Sequence, residues 1–522
     1  MIQPGDPSNG DHSDGDHPDL AVLTSAEMRA AEQAAFARGL PSFEAMRRAG
    51  VAVADTIAAR WPAGGRAVHV LCGPGNNGGD GFIAAEALRA AGYQVVVHAV
   101  RGRSDYAGDA ARAAASWRGH VRAPDPAILA ALDESAVIID ALFGIGLDRA
   151  LERKTAAIIA AANASPATVV AIDIASGVHA DDGRIMDAAI DADVTVTFNW
   201  RKRGHVLLPG AAQCGEVLVA DVGFRAGDLA ATNPSCRLNA PALWARHYPV
   251  PRPADHKYRR GHAVIAGGAV MTGAARLAAR AARRVGLGLL TLAVPPEAWP
   301  IYAADQPGAI VRPIADPAGF AGLAGDERIS ALLVGSGLEP DGRTADLVRT
   351  CLALGRPLVI DGGGLTVLAD GGGLAAGHAK VVLTPHEGEF GRLFPDLLAC
   401  HGKLDRALEA ARRTGCIVVL KGSDTVVAAP DGRAVVSGGA PPVLATAGSG
   451  DVLAGIVTGL LALGIPPFSA ACMGVWLHGR AAEGFGIGLI AEDLPDRLPG
   501  ALAEALPRSG RKSQSKSLAQ KG

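Results

Sequence analysis

"GPGNNGGDG", residues 73–81, decides how the first half of the chain is read. It follows a short apolar run, "AVHVLC" (67–72), and precedes "FIAAEALRAAG" (82–92), which reads as a helix. Strand, glycine-rich turn and helix in that order aim backbone N–H groups at a place where a phosphate can sit. The match to G-x-G-x-x-G (Gly73, Gly75, Gly78) is weak by itself. A dinucleotide site also calls for an acid at the end of the second strand. Here "QVVVHAV" (94–100) runs instead into Arg101 and Arg103, which leaves an NADP-type site open. Asn76, Asn77 and Asp80 are the unusual part, because an ordinary phosphate turn has no use for two amides and a carboxylate. Amide and backbone carbonyl oxygens are hard donors that suit a weakly bound cation while the N–H groups face phosphate. The plainer alternative is a glycine turn with Asn and Asp as helix caps.

The same rhythm continues on both sides. "LTSAEMRAAEQAAFARGL" (23–40) opens on a Thr24–Glu27 capping box, and a second amphipathic stretch covers 43–60. "AVIIDALFG" (136–144), "TVVAIDIASG" (168–177), "DVTVTF" (193–198) and "GEVLVADVG" (215–223) read as further strands. Strands alternating with helices predict an α/β fold with a parallel sheet and crossover helices. In such a sheet the strand ends converge on one edge. Asp140 with "FGIG" and Asp173 with "ASG" therefore join the opening loop, although a lone carboxylate at a strand end is often only a helix cap.

The rhythm stops between about 228 and 252, where "LAATNPSCRLNAPALWARHYPVPRP" is Pro-rich and reads as a linker (229–251) between a first domain (20–228) and a second (252–506). The second series runs "HAVIAGG" (262–268), "GLLTLAVP" (288–295), "ALLVGSG" (331–337), "PLVIDGGG" (357–364), "KVVLTPH" (380–386) and "CIVVLKGSDT" (416–425), then helices around 452–463 and 466–484. Its strongest motif is "ATAGSGDVLAG" (445–455). Small residues before a helix let consecutive N–H groups point at one spot, an anion hole for a phosphoryl group in transfer. Asp451 beside it can take a proton from an attacking hydroxyl, or can serve merely as an N-cap. Lys421 in "LKGSDT" suits nucleotide phosphate or ribose. His386, Glu387 and Glu389 in "LTPHEGEFGRL" suit substrate or a magnesium-bound water better than zinc, for which no further ligands cluster.

Bulk properties narrow the function classes. A chain of 522 residues is too long for one core. Its net charge of −2 argues against nucleic-acid binding through bulk charge. Seven scattered cysteines with no C-x-x-C predict reduced thiols in a cytoplasmic protein. No apolar run approaches the roughly 18 residues of a membrane span. Residues 1–19 carry five Asp and no Lys or Arg, the opposite of a signal peptide. That acidic tail and the basic tail 507–522 are expected to be disordered.

"GPGNNGGDG", "DALFGIG", "AIDIASGVHADDG" and "ADVTVTFNWRKRGHVLLPGAAQCGEVLVADVGF" together resemble the NAD(P)H-hydrate epimerase family over about 20–226. The resemblance implies a Rossmann-like three-layer sandwich that interconverts the R and S forms of hydrated NADH and NADPH (NADHX and NADPHX) with potassium in its site. By motif it implies that Asn76, Asn77, Gly78, Gly79 and Asp80 bind the hydrate. Gly144, Ile145, Gly146, Leu147, Asp148, Arg149 and Ala150 would line it, Asp173 would act on the reacting ring, and Asn77, Asp140 and Ser176 would ligate potassium. Two departures stand out: Ala175 where the family usually has Pro, and Arg47 where it usually has Glu.

"HKYRRGHAVIAGG", "MTGAARLAARAARRVGLGLLTLAVP", "LLVGSGL", "LTPHEGEFGRL", "LKGSDTVV" and "GSGDVLAG" resemble the ribokinase-like superfamily, and within it the ADP- or ATP-dependent NAD(P)H-hydrate dehydratases, over about 252–500. That implies a ribokinase-like three-layer sandwich using magnesium with ADP or ATP. Asp451 would be the base. Lys421, Gly422, Ser423, Asp424, Thr425 and Gly450 would bind the nucleotide, and Ala274, Gly337 and His386 would line the hydrate. Glu339 and Gly363 depart from the family pattern. The two resemblances predict each other, an epimerase feeding an S-specific dehydratase, and the fold family often assembles as homo-oligomers. A vitamin or sugar kinase fused to a Rossmann-like partner, or a first domain that only binds, are the competing readings.

Overall fold

The computed structural model describes residues 17–230, 232–400 and 402–506. The basic tail and residues 1–16 of the acidic tail lie outside the described residues. Pro18 and Asp19, placed in that tail by composition, form a 3-10 turn with Leu20, and Ala21 bridges Arg237 across the chain.

Two large sheets account for the α/β class. β1 (Val22–Leu23) pairs with β8 (Arg201–Lys202) as a small ribbon. β2 (Ala67–Cys72), β3 (Gln94–Ala99), β4 (Val121–Arg122), β5 (Val137–Ala141), β6 (Thr168–Ile172), β7 (Val194–Phe198) and β9 (Glu216–Ala220) form a seven-stranded parallel sheet in the order β4-β3-β2-β5-β6-β7-β9. The second sheet takes β10 (Cys236–Leu238), β11 (His262–Ala266), β12 (Leu289–Val294), β13 (Ile310–Pro313), β14 (Ala331–Val334), β15 (Leu358–Ile360), β16 (Val381–Leu383), β17 (Ile417–Leu420), β18 (Thr425–Ala428) and β19 (Ala434–Ser437). Its order is β10-β19-β18-β17-β16-β15-β14-β11-β12-β13, antiparallel only where β18 meets its neighbours.

Strand side chains alternate between faces, and the cores follow. Val68, Val70 and Cys72 pack with the helices Ser25–Ala37, Ser42–Arg60 and Asn76–Ala90, whereas Leu71 joins Ile138 and the helix Arg153–Ala164 on the other face. In the second sheet Ile265 and Leu333 face the helices Thr272–Arg284 and Ser449–Ala462, while Val264 and Leu332 face the helices Gly342–Ala353 and Lys403–Thr414. Both halves are thus three-layer sandwiches with near-continuous apolar strands, as buried parallel sheets require.

The stretch 229–251 is not a free linker. β10 adds to the edge of the second sheet beside β19, and Trp244 is buried in that domain's core. Asn239 fixes the turn between them, donating to the Cys472 carbonyl at 2.7 Å and accepting from Trp244 Nε1 at 2.9 Å. A three-residue edge strand flanked by prolines leaves no periodic signal to read.

Candidate active sites

A cavity of about 600 Å3 opens at the carboxyl edge of the first sheet, by the β2/β5 pair where the crossovers diverge. The glycine-rich stretch is a loop only as far as Gly75, which caps the helix Asn76–Ala90. Asn76 and Asn77 therefore sit on that helix's unsatisfied N–H end. The loop after β5 supplies Gly144 to Arg149, and Asp173 follows β6. A Cβ on Gly144 would lie 3.0 Å from Asp173 Oδ2 and 3.3 Å from Asn77 Oδ1, so the three strand ends do converge.

Asp173 has φ +69°, the left-handed region that a residue with a Cβ occupies at a cost. The surroundings hold it there. Its N–H donates to the Val196 carbonyl at 2.8 Å, and its own carbonyl faces His205 Nε2 at 2.8 Å. Lys202 Nζ, fully buried, donates to Oδ1 at 2.5 Å and to Thr197 Oγ1 at 2.7 Å. His205 Nδ1 accepts the Lys202 N–H at 3.0 Å, which leaves the ring proton on Nε2. Burial, reinforced by the Lys202 charge, pushes the His205 pKa down to about 3, so the ring stays neutral.

Asp140, fully buried, accepts from the Ser176 N–H at 2.7 Å, Ser176 Oγ at 2.6 Å and the Leu142 N–H at 3.2 Å. Ser176 Oγ also lies 3.3 Å from the Phe143 carbonyl. Asn77 Nδ2 is buried with no hydrogen-bond partner. Turned over, that amide offers its oxygen in the same place. Hydroxyl, amide and carbonyl oxygens with one carboxylate fit a weakly held monovalent cation better than a divalent one.

A second cavity, about 570 Å3, lies at the carboxyl edge of the other sheet. Lys421 after β17, His386 after β16, the β19 turn Gly438–Gly439 and the helix start Ser449–Gly450 wall it. Gly448, with φ +87°, caps the fourteen-residue helix Ser449–Ala462 in a conformation that favours glycine. Ser449 Oγ donates to the Leu444 carbonyl at 2.8 Å and fixes the turn. Behind the helix start, Lys421 Nζ lies 3.1 Å from Asp361 Oδ1 and 3.7 Å from Glu389 Oε2. Burial, then the nearby Asp361 charge, raises the Asp451 carboxyl to about 6, against the opposing pull of the Ser336 hydroxyl and Lys421.

Two family models match the chain: one described as YjeF-related protein N-terminus over residues 42–204, and one as NAD(P)H-hydrate dehydratase over 262–499. The bifunctional NAD(P)H-hydrate repair enzyme of Moorella thermoacetica is 35% identical over 495 residues, 88% of this chain and 92% of the relative. That of Salinibacter ruber is 34% identical over 533 residues, 92% and 96% respectively. The chain belongs to the bifunctional NAD(P)H-hydrate repair enzyme family. Among solved structures, the ADP/ATP-dependent NAD(P)H-hydrate dehydratase of Bacillus subtilis, co-crystallised with ATP and Mg2+, is 29% identical with a TM-score of 0.45, covering 51% of this chain and 98% of that one.

For this member of the repair-enzyme family the structure sorts the motif residues. Asn76, Asn77, Asp80, Gly144 to Arg149 and Asp173 line the first cavity; Gly78, Gly79 and Ala150 do not. A Cβ on Gly78 would lie 2.0 Å from the Gly73 carbonyl oxygen, and one on Gly79 2.8 Å from Met46 Cε, so these glycines serve packing. In the second domain Lys421, Gly422, Ser423, Thr425 and Gly450 line the cavity; Asp451, in the first turn of the helix Ser449–Ala462, is not part of that wall, and neither is Asp424. The Asp424 carboxylate instead receives Lys403 Nζ at 2.6 Å and, from the first domain, the Leu208 N–H at 3.0 Å. His386 joins the Lys421 wall; its Nδ1 caps the helix Glu387–Leu393, accepting the Gly388 N–H at 3.0 Å. Ala274 and Gly337 meet each other away from that wall, a Cβ on Gly337 coming within 2.8 Å of the Ala274 Cβ.

The departures also find their place. Arg47 pairs with Glu44 at 2.7 Å on the helix surface and is no part of the cavity wall. Gly363 has no room for a larger residue, since a Cβ there would lie 2.1 Å from the Leu338 carbonyl oxygen. Residues the motifs did not single out are Lys202, His205, Glu32 and His478. Lys202 and His205 reach Asp173 only through tertiary folding. His478 lines the second cavity, with Nε2 buried and unpartnered, in a helix that reads as plain core.

Proposed function

We propose that the chain repairs hydrated NADH and NADPH, epimerising the R and S forms in the first domain and dehydrating the S form in the second with ADP or ATP. One observation supports the reading: each domain has a separate cavity of nucleotide size at the carboxyl edge of its own sheet, walled in part by its motif residues, Asn76, Asn77, Asp80, Gly144 to Arg149 and Asp173 in the first and His386, Lys421 to Ser423, Thr425 and Gly450 in the second.

In the first site Asp173 lines the cavity with Oδ1 hydrogen-bonded to Lys202. A held carboxylate stabilises a nicotinamide-derived ring that becomes transiently cationic. Asn77, Ser176 and Asp140 would hold potassium, which supplies positive charge for the hydrate's phosphates. In the second site Asp451 takes the proton of the ring hydroxyl, whose oxygen attacks the terminal phosphorus of the nucleotide; the bridging P–O bond breaks and the nucleotide leaves with one phosphate fewer, its new terminal oxygen carrying the electron pair. The N–H groups at the start of the helix Ser449–Ala462 receive the charge on the transferred group. Phosphate, a better leaving group than hydroxide, then departs as the neighbouring carbon loses a proton and the double bond returns. Asp361, Glu389 and Asp451 place three carboxylates around Lys421. Such a surplus would suit a magnesium ion carried in by the nucleotide, which would neutralise phosphate charge.

Among the described residues no helix is long and apolar enough to cross a membrane. The seven cysteines are all free, which supports a reducing, cytoplasmic setting. Exposed Val270, Met271, Ile487 and Ile490 offer apolar surface for self-association. Purified R and S hydrates, each given with ADP or ATP, test the reading. NADH absorbance should return from both, and absence of recovery from the S form would refute it.

A further inference from the structure

Besides the motif residues Asp80, Asp148 and Asp173, two further carboxyls line the first cavity: Asp109, which bonds Ser42 and Arg112, and Glu32. The capping box at Thr24 starts the helix Ser25–Ala37, and Met28, Arg29, Glu32 and Phe36 lie on one face of it, all lining the cavity. Glu32 is half-buried and makes no hydrogen bond or ion pair with any described residue, whereas Arg29 reaches the Ile145 carbonyl at 3.4 Å. Asp80 and Asp173 line the same cavity. The buried Lys202 ammonium beside Asp173 is committed to Asp173 and Thr197.

We propose that Glu32 is the proton-transferring carboxyl of the epimerase site. Resting on the epimerase reading above, the step runs as follows. Glu32 gives its proton to the hydroxyl on the hydrated ring carbon; the C–O bond breaks, its electron pair leaving with water. The ring nitrogen lone pair closes a C=N bond, and the cation rests against Asp173. Water then adds to the opposite face and gives up a proton to bulk water, from which Glu32 is reprotonated. In the reverse direction the Glu32 carboxylate accepts the proton of the water that adds on its own face.

The charges facing Glu32 suit that part. Burial first, then Asp173, raises its pKa to about 7, against the opposing pull of Lys202 and Arg29. Burial first, then the Asp173 and Glu32 charges, raises the Asp80 carboxyl well above its ordinary value, against the opposing pull of Lys202. Groups of one chemical type driven apart in this way divide acid and counter-charge among themselves.

The test uses the full chain, R hydrate and a stopped assay of the epimer ratio. E32Q should lower kcat for epimerisation by about 10²–10⁴-fold with KM close to wild type. Wild type should lose rate above about pH 7, and E32Q should abolish that fall. Dehydration of S hydrate should be unchanged in E32Q, and E32D should keep the falling limb. Wild-type epimerisation rates in E32Q, or a slow E32Q with the limb intact, would overturn the assignment to Glu32. A wild-type chain that dehydrates the S form but never changes the epimer ratio would overturn the epimerase reading itself.

Discussion

Asp173 and Asp451, for which different tasks are proposed, have different neighbours. Asp173 Oδ1 accepts from the buried Lys202 ammonium at 2.5 Å. Replacing Lys202 by Ala would leave a buried carboxylate without its partner, a change expected to cost about 3–5 kcal/mol. Denaturant unfolding of K202A should show that loss. Asp451 is raised to about 6 and must be ionised to act as a base. The dehydration rate, as kcat/KM, should therefore rise with pH through about 6 and level off above it; a rate flat from pH 5 to 7 would exclude Asp451 as that base. Both aspartates were legible because each ends an apolar run or opens a helix. Lys202 and Glu32 were not, because their meaning comes from side chains far away in the chain, and a lysine in "NWRKRG" or a glutamate on an amphipathic helix reads as surface.

The elements that carry the sites depend on close backbone contacts. The helix Asn76–Ala90 begins inside the glycine-rich stretch because Gly78 lets its first turn lie against Gly73. Gly78→Ala should overpack that contact and destabilise the chain by about 1–3 kcal/mol, read as a lower melting temperature. A melting temperature equal to wild type would mean that the turn has slack. The central strands were legible as short apolar runs with turns after them. β13, on the exposed sheet edge, alternates too weakly to be seen, and the β18–β19 hairpin follows a motif that reads as a binding turn. The helix start at Asn76 was hidden for a related reason: glycines argue for a loop until tertiary packing makes them the only residues that fit.

The whole molecule is more than two enzymes in series. Val206 packs into the second domain's core, Arg203 reaches Asp405 at 3.1 Å, and the Leu208 N–H reaches Asp424 at 3.0 Å. The segment that supplies Lys202 and His205 to the first site thus also braces the Lys421–Thr425 turn of the second. D424N weakens both of that turn's anchors, so KM for ADP and ATP should rise about tenfold, the equivalent of roughly 1.4 kcal/mol, with epimerisation unchanged. An unchanged KM would show that the brace does not reach the nucleotide. Nothing in the sequence announced this contact; composition marked 229–251 as a linker, whereas folding makes part of it a strand of the second sheet.

The central claim is that two separate sites on one chain act on the two epimers of one damaged coenzyme. Asp451→Asn in the full chain, incubated with a known mixture of R and S hydrate and ADP or ATP, tests it most directly. The account predicts no return of NADH absorbance while the two epimers still relax to equilibrium as fast as with wild type. Recovery of NADH by this variant, or a folded variant that has lost epimerisation as well, would contradict it.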